Sequence, residues 1–363
     1  MTEFKPAVGK PASPAFGERS GKEIKLHTGK FEEGRWSYIF GEGTDYASAM
    51  PDLAAIEQAA HDARTGDLPD VVQGPVINAP VWTWEIPLYF WFGGIAAGSS
   101  FVALACDLAG DGDSAAVARK VALGALMPSP PLLIMDLGRP ERFYNMLRIF
   151  KPRSPMSMGA WALTAFGNLA AAAVGADLLG RRREARALGA ANAIVGGYLG
   201  SYTGVLLAST AVPVWARSRL FLGPIFVSTA AATGAAATRL TLVATGLPVG
   251  HPTRRALGTV ETVAMGSELI LSLINERRLG ELASGLEHGK PGHQFKAAKW
   301  AVRIGLALRF LRKPLGPRIH HLASLLYLAG GLLFRYAWVG AGRESAKHDR
   351  VVAQMARDRG PGT

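Results

Sequence analysis

An all-α integral membrane protein of eight transmembrane helices is the fold class that this 363-residue sequence predicts, on three observations. Beyond residue 80 the chain carries repeated apolar runs, near or above the roughly 18 to 20 residues that cross a bilayer core as a helix. Hydrophobic residues make up 49% of the chain and mean hydropathy is +0.15, although the first eighty residues are polar. Small residues recur at four-residue spacing inside the runs: Gly94 with Gly98, and Gly196 with Gly200 and Gly204. That spacing lets helix backbones approach closely in lipid, where no hydrophobic force drives helices together. A water-soluble helical core rarely needs several charge-free runs in one chain.

Residues 1–80 read as a polar N-terminal extension. The opening, MTEFKPAVGKPASPAFGERSGKEIK, mixes both charges with proline, glycine and serine and contains no apolar run of signal-peptide length. Met50–Arg64 is predicted as an amphipathic helix with Leu53, Ile56 and Ala60 on one face. An extension that cannot build its own core either lies along a partner or the membrane domain, or stays a flexible tail.

Residues 81–342 form the transmembrane domain. Ile86–Asp107, Met156–Gly175, Ala187–Val212, Leu220–Thr238 and Ala256–Ile274 are the clear spans, the last carrying two glutamates. Three further runs carry a defect each. Val121–Met135 is interrupted by Pro128, Pro130 and Pro131, Trp300–Leu311 contains Arg303 and Arg309, and Leu322–Val339 contains Arg335. Residues 343–363 are a polar C-terminal tail.

The net charge of +12 would raise nucleic acid as a partner for a soluble protein. Here the cations, such as Arg181, Arg182, Arg183 and Arg186, sit between apolar runs, so membrane topology accounts for them and nucleic acid is not expected. The short loops are almost balanced in charge between the two sides. The lack of a signal-like segment favours both termini in the cytoplasm, as in a multi-pass protein of a bacterial inner membrane.

The chemistry available to the chain alone is narrow. Its one cysteine, Cys106, permits neither an iron–sulfur cluster nor an intramolecular disulfide. The eight histidines, at 27, 61, 251, 288, 293, 320, 321 and 348, all lie outside the five clear spans, so a haem with axial histidines within its helices is not expected. No metal site and no phosphate-cradling glycine loop is read. What the spans do hold is Glu261 and Glu268, seven residues apart, with Asn275 seven further on; two helical turns place all three on one face. Ionisable groups inside a membrane mark function by default. The row serves either to move protons or a cation, or as partners for buried cations such as Arg239 or Arg303. A secondary transporter working through the Glu261/Glu268 face fits these residues as well.

The connection Asp136–Met158, DLGRPERFYNMLRIFKPRSPMSM, is different in kind. It sets five basic residues and three aromatics beside a membrane surface, between an Asp-Leu-Gly-Arg-Pro turn and a Ser-Pro-Met-Ser helix start. With TWEIPLYFWFGGIAAGSS at Thr83–Ser100 and SYTGVLLASTAVPVW at Ser201–Trp215, in this order and spacing, the chain resembles the polysulfide reductase/nitrite reductase D family over roughly residues 80–350. INERRLGELA at Ile274–Ala283 and FRYAWVGAGRESAKHD at Phe334–Asp349 look like the family members found beside formate dehydrogenases.

The resemblance implies eight helices in two four-helix bundles, and a membrane anchor that does not itself transform the primary substrate. Electrons would pass between quinone, menaquinone or ubiquinone, and a four-cluster iron–sulfur subunit joined to a molybdopterin catalytic subunit. Formate is the favoured primary substrate and sulfur compounds the second. The quinone contacts implied are Trp84, Glu85, Tyr89, Arg139 and Tyr202, with Glu261, Glu268 and Asp136 for protons. Arg142, Phe143, Arg148, Lys151 and Arg153 would face the partner. Each has a plainer role beside it: an interfacial belt for Trp82, Trp84 and Trp91; a helix-start carboxylate for Glu85; a helix-to-helix bond for Tyr202; an Asp136–Arg139 brace; topology charges for the loop cations.

Overall fold

A computed structural model describes residues 77–311, 319–348 and 351–353. The helix expected at Met50–Arg64, like most of the N-terminal extension, lies outside the described residues. The chain divides into two units, residues 1–78 with 347–363, and residues 79–346. In the first, residues 351–353 are helical and the Val352 N–H bonds the His348 carbonyl. Everything below concerns the second.

That unit contains eight long helices: α1 (Glu85–Leu108), α2 (Gly112–Leu126), α3 (Pro155–Leu178), α4 (Arg182–Ala208), α5 (Arg219–Ala244), α6 (Pro252–Leu279), α7 (Gly289–Phe310) and α8 (Ile319–Ser345). No β-strand occurs among the described residues. Tight turns join some of them. Gly110 at φ 79° and Gly180 at φ 71° end α1 and α3 in the left-handed conformation that glycine adopts without penalty. Asp111 then caps α2 by accepting from the Ser114 N–H at 3.1 Å. Helices α1 to α4 pack as one group and α5 to α8 as another, joined where α5 lies against α1 and α4. This is the expected pair of four-helix bundles.

Five helices, α1, α3, α5, α6 and α8, are long and apolar enough to cross a membrane. α2 continued by Ser129–Met135 meets the same test only together with Pro140–Arg148, into which the chain bends by 116°, so this pair is either a broken sixth span or a re-entrant loop. The prolines at 128, 130 and 131 stand where the Ser129–Met135 helix begins. Two expectations shift. The run Ala187–Val212 belongs to a helix that stops at Ala208 and falls short of the apolarity of the others, because Arg182, Arg183, Glu184 and Arg186 open it and glycine, serine, tyrosine and threonine fill its second half. Leu322–Val339 joins the qualifying spans on the length and apolarity of α8, and its Arg335 is turned inward at 1% exposure.

The small-residue spacing has a direct structural use. A Cβ on Gly98 would overlap the Ala230 carbonyl, and one on Gly234 would overlap the Gly98 backbone, so α1 and α5 cross in backbone contact. The helices are also inverted relative to a soluble protein. On α6, Val260, Val263 and Ile270 face outward while Glu261, Glu268 and Asn275 are buried, which is the polarity of a helix solvated by lipid. A buried ion cluster, unforeseen from the sequence, ties the first three helices. Arg119 on α2 donates to Asp107 on α1 at 2.6 Å and, through two nitrogens, to Asp177 on α3 at 2.6 and 2.9 Å.

Candidate functional site

The antiparallel run of helices brings the start of α1, the 136–154 connection, the end of α4 and the start of α7 to one end of the bundles. The connection is held where it enters α3. Ser154 caps α3 by accepting from the Ser157 N–H at 3.4 Å, and the Ser157 hydroxyl donates to the Ile149 carbonyl at 3.2 Å. Trp161 packs edge-on against Phe150 with centroids 5.8 Å apart and donates to the same carbonyl at 3.4 Å. The Ser-Pro-Met-Ser segment is thus a capping turn that fixes the loop. Along it, Arg142, Phe143, Tyr144, Leu147, Arg148, Phe150, Lys151 and Arg153 are all exposed, while Arg139 is half-buried in the turn. Cations and apolar rings therefore share one open surface.

Glu85 opens α1 and accepts a hydrogen bond from the Thr83 hydroxyl. It acts electrostatically on Asp136, which sits at the bend after Met135. Burial, with the negative charge of Glu85 second, pushes the Asp136 carboxyl up to about 6. Glu85 also lies within electrostatic reach of Tyr336 on α8, whose hydroxyl donates to the Trp84 carbonyl at 3.0 Å. Trp84 is half exposed and, with Thr83 and Pro87, lines a cavity of about 480 Å³ whose far wall includes Lys290, Gln294 and Tyr336. Glu85 does not line this cavity; it acts electrostatically on Tyr336 in the cavity wall and on Asp136 at the bend.

Of the other expected site residues, Tyr89 and Tyr202 are both buried and near enough to influence each other electrostatically. The Tyr202 hydroxyl donates to the Pro155 carbonyl at 2.8 Å, bonding α4 to the start of α3, and its ring stacks on Tyr198 with centroids 5.8 Å apart. The tryptophans separate in role. Trp82 stacks on the buried Trp215 at 5.5 Å, Trp91 donates to the Leu328 carbonyl at 3.0 Å, and of the three only Trp84 is strongly exposed.

The carboxylates of α6 form an interior row. Glu261 is fully buried and accepts from Arg309 of α7 and, at 2.8 Å, from the Ser324 hydroxyl of α8. Glu268, two turns along, accepts from the Ser272 hydroxyl at 2.8 Å and feels the charges of Arg335 and Lys299. Lys299 in turn pairs with Glu276 at 2.6 Å. The cation that pairs with Glu261 is thus Arg309, with Arg239 nearby, rather than Arg303, which is exposed and lies over the Trp300 ring at 5.5 Å. Charge balance signals that two carboxylates in one span need cations from other spans, but not which cations those are. The residues that sequence reasoning missed altogether, Lys290, Gln294 and Tyr336, carry no local pattern and meet Trp84 only through the packing of α7 and α8. Among the described residues no group of three or more His, Cys, Asp or Glu is placed to hold a metal ion.

Fold and site together define a polytopic helical membrane protein with acidic groups and an exposed basic loop at one end. The family model described as polysulphide reductase, NrfD, matches residues 75–343, and the chain belongs to that family of membrane anchors of molybdoenzyme complexes. A search of curated proteins gives no match.

Proposed function

We propose that this chain is the quinone-reactive membrane anchor of an oxidoreductase whose partners are an iron–sulfur subunit and a molybdopterin subunit. Electrons would pass between that iron–sulfur chain and menaquinone or ubiquinone in a bacterial inner membrane. Formate is the favoured primary substrate, on the resemblance of residues 274–283 and 334–349 to formate-dehydrogenase-associated members, and a sulfur compound is the second.

The carrying observation is the cavity beside Trp84 with its acidic flank. Its size lies within the range of small-molecule sites, and it combines an aromatic wall with a few polar groups, as a quinone ring and its two carbonyls require. Lys290 and Gln294 supply donors for the carbonyls, beside the Tyr336 ring, whose hydroxyl is bonded to the Trp84 carbonyl. Quinone reduction takes up two electrons and two protons, so the site also needs a proton source. Asp136, titrating near neutral pH and coupled to Glu85, suits that task, and Glu85 together with the Thr83 hydroxyl leads from it to the cavity wall. Tyr89 and Tyr202, which the resemblance made quinone contacts, do not line this cavity, and Tyr202 instead bonds α4 to the start of α3. Partner docking falls to Arg142, Phe143, Arg148, Lys151 and Arg153, and the interior row of Glu261 and Glu268 to proton movement across the bundle. In the purified complex, Glu85→Gln should lower quinone reduction about a hundredfold, at the low end for loss of an acid–base group, while reduction of a soluble dye at the catalytic subunit stays intact. Equal loss of both activities, or of neither, contradicts the reading.

A further inference from the structure

At the opposite end of the bundles, α5 to α8 enclose another cavity, of about 260 Å³. Arg239, Arg254, Arg255, Arg309, His320 and Gly258 line it, and Arg239, Arg254 and Arg309 are 3%, 7% and 8% exposed. The carboxylate that reaches this group is Glu261, bound to Arg309 and Ser324. Neutral acceptors take many of the other N–H donors. Arg239 donates to the His320 carbonyl and the Ser324 hydroxyl, both at 2.9 Å, Arg254 to the Leu247 carbonyl at 2.8 Å, and Arg255 to the Gly250 carbonyl at 3.1 Å. The buried Arg309 Nε makes no hydrogen bond.

Among the described residues, Arg254, Arg255 and Arg309 stand against one carboxylate, Glu261, which leaves an excess of positive charge around an open cavity where like charges repel. Such a site is completed by an anion. Guanidinium forks match the oxygens of a phosphate group in geometry as well as charge. The cavity lies where α5 ends and α6 begins, at the depth of the bilayer surface. We propose that it binds an anionic phosphate, supplied by the headgroup of an acidic phospholipid or by free phosphate, and that this ligand ties α6 to α7 and α8 at this end.

Calorimetric titration of the full chain in mild detergent tests this, with dihexanoyl phosphatidylglycerol, dihexanoyl phosphatidylcholine and inorganic phosphate as probes. Phosphatidylglycerol should saturate one site, and phosphatidylcholine, whose cation opposes the arginines, should bind at least tenfold more weakly. Binding of phosphatidylglycerol alone assigns a lipid headgroup, and binding of inorganic phosphate as well assigns the phosphate group itself. Arg255→Gln, at an exposed position, should weaken binding about tenfold. Gly258→Leu should abolish it, because a Cβ there already stands 3.4 Å from the Arg309 guanidinium. Circular dichroism checks the fold of each variant, and Arg255→Gln decides the matter if the leucine variant fails to fold. Equal affinity for both lipids, no saturable binding of either anion, or unchanged affinity in Arg255→Gln overturns the proposal.

Discussion

Asp136 shows how one residue gains a task from its surroundings. An exposed aspartate is fully ionised at neutral pH, yet burial at the bend and the charge of Glu85 hold this one protonated to about pH 6. The sign follows: the proton is present below pH 6 and lost as pH rises through it, so quinone reduction that draws on it should decline across pH 5 to 7. Asp136→Asn should remove that decline and leave a low, flat profile, recorded as initial rates of quinone reduction against pH. An unaltered profile would assign the proton elsewhere. Glu268 makes the parallel case inside the bundle. Its environment supplies a serine hydroxyl and the field of Arg335 without a direct ion pair, whereas Glu261 is fastened to Arg309. Glu268→Gln should therefore slow proton uptake into vesicles holding the complex, with partner binding intact; unchanged uptake would remove it from the pathway.

At the scale of the element, the sequence spoke clearly where a single helix decides and poorly where two must meet. The Gly98 spacing announced a close approach, and α1 does cross α5 in backbone contact there. Gly98→Leu should prevent that crossing, at a cost above the usual 1 to 3 kcal/mol of overpacking, visible as a large drop in unfolding temperature in detergent. Full stability in this variant would mean the crossing is not needed. The outward apolar and inward acidic faces of α6 were legible from a seven-residue period alone. By contrast, Arg309 and Arg335 looked like flaws in weak spans, because a cation in a run of apolar residues reveals nothing of the carboxylate that will face it. The Arg119 cluster was hidden for the same reason, its aspartates standing at the ends of two other helices. In the 136–154 connection the chemistry was local and therefore readable. Its fixed end at Ser154 and its exposed cations are what the capping sequence and the charges announced, and the proposal that they meet a partner is open to a direct test. Reversing Arg142, Arg148 and Arg153 together to Glu should abolish retention of the iron–sulfur subunit in pull-downs while leaving the chain's own yield unchanged; retained partner would show that docking lies elsewhere.

For the whole molecule, family membership sets the architecture, and the asymmetry between its two ends organises what it can do. One end gathers acids, an aromatic cavity and the basic loop; the other gathers arginines around Glu261. The first was partly visible in sequence because Glu85 and Asp136 sit beside distinctive segments, although the cavity walls from α7 and α8 appeared only once the helices were packed. The second was invisible, since Arg239, Arg254, Arg255 and Arg309 are spread over three helices. The central claim concerns what the loop end meets, and purification of the tagged chain from native membranes in mild detergent, followed by mass spectrometry of the intact assembly, tests it most directly. The account predicts a complex containing an iron–sulfur subunit and a molybdopterin subunit. A stable chain recovered alone, as expected of a transporter working through the Glu261 and Glu268 face, would contradict it.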